Sequence, residues 1–468
     1  MARRREGWRS AGSQSVPDLR PGLGAASLGP SREFVGGGSL WNQIRREIAN
    51  LKTIEWSLVY VGFLGYVFVF TTYKLPVGDV SIGLALLGLL VQRHRFRFTR
   101  LQVWFGLFIL WAGIGYFTTA YPNDVSKELT DLIKIWLIAL VATNALRSPQ
   151  QIRFFIIFFL GWYVFYPARG AILNNMSGDP FYARAAWNYL FENSNDLAAL
   201  SILQLSMAAG LVATERKGLV RVGAIVAVVI LPIVVFLTES RGAFIALMFF
   251  AAFTLRGRIN LKTILPLVLV GAIAIAFAPS GLWTRLSGLA KFSTATGTNL
   301  REVDPEGSAE GRWYILVIAS QIVRDHPTIG VGVGAYPLAH WAYSPRNSNL
   351  PGTARGPRDT HNTYMNVAAE TGLPGLALFL GLCGAVLARA EHVRRRVRRT
   401  MPGGSQQLVY LEAGLAAYLL AGVFGSFAKL PFLYVHLVLM LAVCSTIMRS
   451  ATQMSQPPKV GSPGRRGA

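Results

Sequence analysis

His361 stands in the run Thr360-His361-Asn362-Thr363-Tyr364-Met365-Asn366, where a long polar stretch meets an apolar block. A neutral imidazole at such a boundary can accept a proton near physiological pH. If a helix begins here, His361, Tyr364, Met365 and Ala368 share one face. The plainer reading is an interfacial histidine that caps or snorkels. Arg241, in Thr238-Glu239-Ser240-Arg241-Gly242, has apolar blocks on both sides. A guanidinium at that depth is costly and needs a partner. Glu239 is that partner if the arginine is structural; if it is functional, its planar fork clamps a phosphate bidentately. Arg312 opens a stretch of near-helical apolar spacing beside Trp313 and is otherwise a solvated surface residue. Lys134 lies within an apolar block, with Asp131 one helical turn earlier as its natural ion-pair partner.

Other motifs carry less chemistry. Gly330-Val331-Gly332-Val333-Gly334 lacks a following Lys-Ser/Thr and a preceding strand, so it reads as a turn that lets backbones approach closely rather than as a phosphate cradle. Asn193, Asn195 and Asp196 precede an apolar block as helix caps. His94, His326, His340, His392 and His436 show no metal-ligand spacing, so no metal site is expected. Cys383 and Cys444 sit inside apolar blocks as small core residues.

The elements that position these groups follow from composition. Of 468 residues, 52% are hydrophobic and only 15% charged, against about 25% charged in soluble domains. The apolar residues come in blocks near the ~20 residues a bilayer crossing needs. In hydrocarbon every backbone amide must be satisfied internally, so the blocks are helices. The pattern predicts an all-α polytopic bundle of about twelve spans: 54–72, 76–92, 101–121, 129–146, 152–172, 196–214, 219–238, 241–256, 263–279, 363–388, 408–427 and 431–448.

The net charge of +23 would suggest nucleic acid in a soluble protein. Here the basic residues crowd alternate short loops, such as Arg93, Arg95, Arg97 and Arg100, or Arg394, Arg395, Arg396, Arg398 and Arg399. They read as topology signals that put those loops and both termini in the cytoplasm. Residues 1–47 and 451–468 are expected to be disordered cytoplasmic tails around a membrane domain at 48–450. The opposite side carries a short aromatic segment, 173–195, and a large loop, 280–362. Within the loop, 309–325 has helical apolar spacing and Pro327 follows, which predicts an amphipathic helix near the outer surface.

His361-Asn362, followed after nine residues by Gly372-Leu373-Pro374-Gly375, resembles the signature of the O-antigen ligase and polymerase superfamily. Arg312-Trp313, then His326-Pro327-Thr328-Ile329-Gly330-Val331-Gly332, and the Ser240-Arg241-Gly242 run fit the same resemblance, as does a large outer loop before the histidine. The resemblance covers roughly residues 190–390. It implies transfer of a glycan from an undecaprenyl-diphosphate carrier to an acceptor hydroxyl on the outer face of the bacterial cytoplasmic membrane, as in lipopolysaccharide assembly, without metal, nucleotide or other cofactor. It implies a general base at His361 and carrier-diphosphate ligands at Arg241 and Arg312. Glu239, Asn362, Tyr364 and Lys134 are expected in supporting roles. Ile245, four residues after Arg241, departs from the leucine some ligases carry. The signature does not separate ligases from polymerases or protein O-oligosaccharyltransferases, whose acceptors are lipid, glycan or protein. A transporter or flippase would instead line a path with Lys134, Asp131, Glu239 and Arg241, and a non-catalytic envelope scaffold is a third reading.

Overall fold

The computed structural model describes residues 40–73, 77–178, 184–188, 191–256, 308–346 and 354–455. The expected ninth span, the first part of the large loop, and Tyr182 and Tyr189 lie outside the described residues, as do most of both tails. The chain divides into residues 1–46 and 47–468. In the first, the described residues are the opening turns of helix α1 (Leu40–Lys52). This helix starts inside the stretch expected to be disordered up to residue 47. Leu40, Trp41, Ile44, Ile48 and Leu51 recur at helical spacing and give it an apolar stripe.

Among the described residues, the regular elements of the second unit are helices. It contains α2 (Leu58–Thr71), α3 (Val77–Val91), α4 (Arg100–Ile114), α5 (Pro122–Ala145), α6 (Pro149–Tyr163), α7 (Arg169–Ser177), α8 (Ser194–Thr214), α9 (Leu219–Leu237) and α10 (Arg241–Leu255). After the undescribed segment come α11 (Ser308–Asp325), α12 (Tyr336–Tyr343), α13 (Thr363–Val397), α14 (Pro402–Ala421) and α15 (Pro431–Ser455). A five-residue π-helical turn, Val164–Ala168, with Pro167 inside it, joins α6 to α7. Helix α11 matches the amphipathic segment predicted at 309–325.

Side-chain caps start several helices where the sequence changes character. Ser148 accepts from Gln151 N with Pro149 in the first turn, and Asn193 accepts from Asn195 N. Six described helices are long and apolar enough to cross a membrane, and α2, α3 and α10 are shorter apolar helices. The expected span at 129–146 falls almost wholly in α5, whereas that at 408–427 runs past the end of α14 at Ala421 into the loop that follows. Asp124, Lys127, Glu128, Asp131 and Lys134 along α5, and Gln406, Gln407 and Glu412 along α14, lower their hydropathy.

Helices α8 and α15 are the most buried of the six. Helix α8 packs on α9 and α14, and α13 packs on α4, α14 and α15. A Cβ at Gly414 of α14 would stand 2.3 Å from Ser206 Cβ of α8. Small residues thus let these backbones meet where apolar burial gives little drive between helices.

Candidate functional site

His361 lies just before α13, not on it. The helix begins at Thr363, and Asn362 caps it by accepting from Tyr364 N and Met365 N, both at 3.0 Å. The expected shared face of His361, Tyr364, Met365 and Ala368 therefore does not form. His361 instead takes φ +49°, a conformation that is strained for a residue with a Cβ. Its neighbours hold it there by bonding to the loop between α14 and α15. Thr363 N donates to Gly422 O at 2.7 Å, and Asn362 Nδ2 to Val423 O at 3.0 Å. Thr363 Oγ1 donates to Gly425 O at 2.7 Å and accepts from Phe427 N at 2.8 Å. The Thr360 and Ser426 hydroxyls share a 2.8 Å hydrogen bond. Tyr364 turns away to donate to Leu419 O at 2.6 Å, bracing α13 against α14.

The imidazole is one-third exposed, with Nδ1 3.8 Å from Asp359 Oδ2. Burial pulls its pKa below the usual histidine value. The Asp359 carboxylate opposes that shift, while the positive charges of Arg312 and Arg358 add to it. The net effect favours a neutral ring, which can accept a proton. Asp196, in the first turn of α8, lies close enough to Asp359 for the two charges to interact.

Arg241 opens α10 and is half-buried. Ser240 caps the helix by accepting from Ala243 N, and the buried Glu239 before it takes φ +51°. Among the described residues, Glu239 and His361 are the non-glycine residues with positive φ. Arg184 clasps the turn from outside, with Nε donating to Thr238 O at 2.6 Å and Nη2 to Asn195 Oδ1 at 3.2 Å. A Cβ at Gly242 would stand 2.4 Å from Phe424 Cβ. The Arg241 turn therefore rests on the same loop that holds Thr360–Thr363.

Arg312 lies in the first half of α11, and its charge reaches His361. Two glycine motifs fix that helix relative to the histidine. Val331 N donates to Ala369 O at 2.9 Å, Gly332 N to Glu370 O at 3.0 Å, and Leu373 N to Pro327 O at 2.8 Å. These carbonyls and amides are available because Gly372, at φ +71°, breaks α13 into two pieces at a kink. A Cβ at Gly372 would fall 1.9 Å from Thr328 O, and one at Gly330 2.5 Å from Glu370 O. Backbone cannot move aside as a side chain can, so both positions require glycine. The Gly330–Gly334 run is thus the close-approach turn expected, and the segment at 372–375 is its partner. Tyr336 Oη, donating to Ile315 O at 3.2 Å, and Tyr343 Oη, donating to Asp325 Oδ2 at 2.8 Å, tie α12 to α11.

Lys429, Glu370 and Glu128 carried no signal in the sequence, because they lie on three distant elements. Lys429 Nζ is 2.8 Å from Glu370 Oε2 and 3.4 Å from Glu128 Oε1. Burial alone would lower the Lys429 pKa, but the two carboxylates outweigh it and raise it. This cluster fastens the end of the 422–430 loop to α13 and α5. Breaking such a pair from one side costs about 3–5 kcal/mol, because a buried charge is left uncompensated. Lys134 is not drawn into the site. Its ammonium pairs with Asp131 at 3.0 Å on an exposed face of α5.

Together, the segments bearing His361 and Arg241 converge on residues 422–427, and Arg312 stands within electrostatic reach of the imidazole. Such a set can take a proton from a hydroxyl and hold an anion beside it. Residues 225–380 match a family model described as O-antigen ligase. That stretch includes Arg241, Arg312, His361 and both glycine motifs, and the match supports the O-antigen ligase and polymerase superfamily. With the apolar helices, it indicates a multi-pass protein of the bacterial inner membrane and a membrane glycosyl-transferring enzyme. A comparison with curated proteins gives no match.

Proposed function

With an O-antigen ligase domain at residues 225–380 as premise, we propose that the protein transfers a glycan from an undecaprenyl-diphosphate carrier to an acceptor hydroxyl at the outer membrane face. The observation that carries this reading is the convergence of the His361 and Arg241 segments on one loop, with the charge of Arg312 felt at the imidazole.

Nδ1 of His361 faces Asp359, which leaves Nε2 to accept the acceptor's hydroxyl proton. The acceptor oxygen attacks the anomeric carbon as the bond from that carbon to the diphosphate oxygen breaks. The electron pair leaves with the diphosphate, where Arg241 and Arg312 stabilise the added charge. A positioned base contributes about 10²–10⁴ in rate. One electrostatic donor contributes about 10²–10³. Direct displacement inverts the anomeric centre. Asn362 holds the backbone of the 360–363 turn, Glu239 occupies the strained position of the 238–241 turn, and Tyr364 braces α13.

Both ends of the chain are placed in the cytoplasm in this reading, and the His361 end of the bundle faces outward. A transport path along Lys134, Asp131, Glu239 and Arg241 has less support, because Lys134 and Asp131 pair with each other on an exposed face. The test is in vitro transfer by purified protein from a lipid-linked oligosaccharide to lipid A-core, repeat-unit and protein acceptors, followed by mass spectrometry. Transfer to one acceptor class with inversion is expected and identifies ligase, polymerase or protein glycosyltransferase. Retention, or transfer to none of them, overturns the proposal.

A further inference from the structure

At the end of α13 remote from His361, a cavity of about 310 Å³ lies where the ends of α10 and α13 meet the start of α14. Its lining includes Phe253 and Arg256, Arg394 and Arg398, and Gln406 and Tyr410. Between the kink at Gly372 and Arg394, α13 rises about 33 Å, more than the roughly 30 Å of a hydrocarbon core. The cavity therefore stands at the membrane face opposite the His361 turn, which is the inner face in the topology proposed above.

Its three guanidinium groups are held differently. Arg394 is fixed and neutralised, with Nε donating to Glu412 Oε2 at 2.9 Å and Nη2 donating to Glu391. Arg256 lies over the Phe253 ring, 5.5 Å from its centroid, which orients the group without using its N–H donors. Among the described residues, neither Arg256 nor Arg398 pairs with a carboxylate. Arg256 follows the last residue of α10 and Arg398 the last residue of α13. The dipole of each helix offsets about half a charge there. About one net positive charge remains, which complements one phosphodiester. Tyr410 Oη accepts from Gln406 Nε2 at 3.1 Å, so the phenol O–H remains a donor for an oxygen in the cavity.

The face of α10 leading to the cavity is apolar and exposed. Met248 and Phe249 are 56% and 36% exposed, and the Phe249 and Phe253 ring centroids stand 5.9 Å apart. Phe249, Ala252, Phe253 and Arg256 recur at three- and four-residue spacing. One stripe thus runs from bilayer-facing apolar surface to a cation. A lipid uses both ends of such a stripe, acyl chain on the apolar part and headgroup at the cation. A soluble anion uses only the second.

We infer that this cavity binds the phosphodiester headgroup of an anionic phospholipid, with the acyl chains along α10. Basic pockets between membrane helices on the inner side recognise such headgroups. The lipid would join three helices whose opposite ends build the candidate site. Helix α10 opens with Arg241, α13 follows His361, and α14 leads into residues 422–427.

The full-length protein in detergent is titrated with phosphatidylglycerol, phosphatidylcholine and inorganic phosphate, and bound ligand is counted by native mass spectrometry. Phosphatidylglycerol is expected to bind more tightly than phosphatidylcholine and to resist displacement by inorganic phosphate. Arg256→Gln/Arg398→Gln should weaken phosphatidylglycerol by about thirtyfold, since each arginine beside an anionic lipid contributes about fivefold, and leave phosphatidylcholine unchanged. Arg93→Gln/Arg100→Gln removes the same charge from another exposed basic segment and should change neither. If the first pair does not fold, Arg256→Lys/Arg398→Lys keeps the charges without the planar forks and should weaken phosphatidylglycerol severalfold. Unaltered binding in the cavity variants overturns the inference. Equal weakening by the Arg93/Arg100 pair also overturns it, since bulk charge would then attract the lipid, and so does displacement by inorganic phosphate. Binding is read here without glycan transfer, so its failure and that of the transferase reading are distinguishable.

Discussion

The turns at 238–241 and 360–363 resemble each other in outline and differ in how they are held. Each contains a non-glycine residue at positive φ, each leads into a helix through a side-chain cap, and each rests on residues 422–427. The 360–363 turn is stitched to that loop by directional hydrogen bonds from Thr360, Asn362 and Thr363. The 238–241 turn meets it through van der Waals contact of Gly242 with Phe424, and is clasped from outside by Arg184. The difference suits the two tasks proposed for them. A base must aim one lone pair at one proton, and errors of about 0.5 Å matter there. A guanidinium holding an anion acts through charge and several donors, so it tolerates small displacement better.

Removing the chemistry on the stitched side is the strongest test. His361→Ala should lower transfer by about 10²–10⁴ while membrane insertion and yield stay unchanged; normal in vitro transfer would reject the base assignment. On the packed side, Arg241→Lys should lower kcat/KM by about 10², because a point charge does not reproduce the planar fork. Undiminished binding of the lipid diphosphate to this variant would count against the clamp.

The next effects address the supports. Gly242→Ala should lower transfer about tenfold, because its Cβ enters Phe424. Phe424→Ala in the same chain should recover part of that loss, and a double-mutant cycle reads the coupling; additive losses would show that the contact does not set the arginine. Thr363→Val should cost about 1–3 kcal/mol of stability, since it removes the donor to Gly425 and leaves Phe427 N unpaired. A thermal midpoint equal to wild type would contradict the stitching.

The smallest effect concerns pH. Asp359 favours the protonated imidazole, whereas burial, Arg312 and Arg358 favour the neutral one. A general base works when neutral, so activity rises as pH passes through the His361 pKa. In Asp359→Asn that opposing charge is lost, the ring stays neutral to lower pH, and the acidic limb of the kcat/KM profile should move to lower pH. A limb that moves upward would mean that another group carries the proton.

The helical membrane class was legible in the sequence, because apolar blocks of spanning length leave the backbone few alternatives. The amphipathic α11 was legible from its spacing and from Pro327. The residue types at 241, 312 and 361, and the closeness implied by Gly330–Gly334, were local signals and could be read without coordinates.

What joins those signals is long-range and left no local trace. The 422–430 loop touches both turns, yet its own sequence is an ordinary interhelical link. The Lys429–Glu370–Glu128 cluster draws on residues up to three hundred positions apart, so no periodicity announces it. His361 was expected on the face of α13, but the placement of the cap at Asn362 depends on what lies opposite it, and that is the loop. Chain-local chemistry decides which helices form and which groups they carry. Which strained turns persist, and which groups meet, depends on contacts that exist only once the helices have packed.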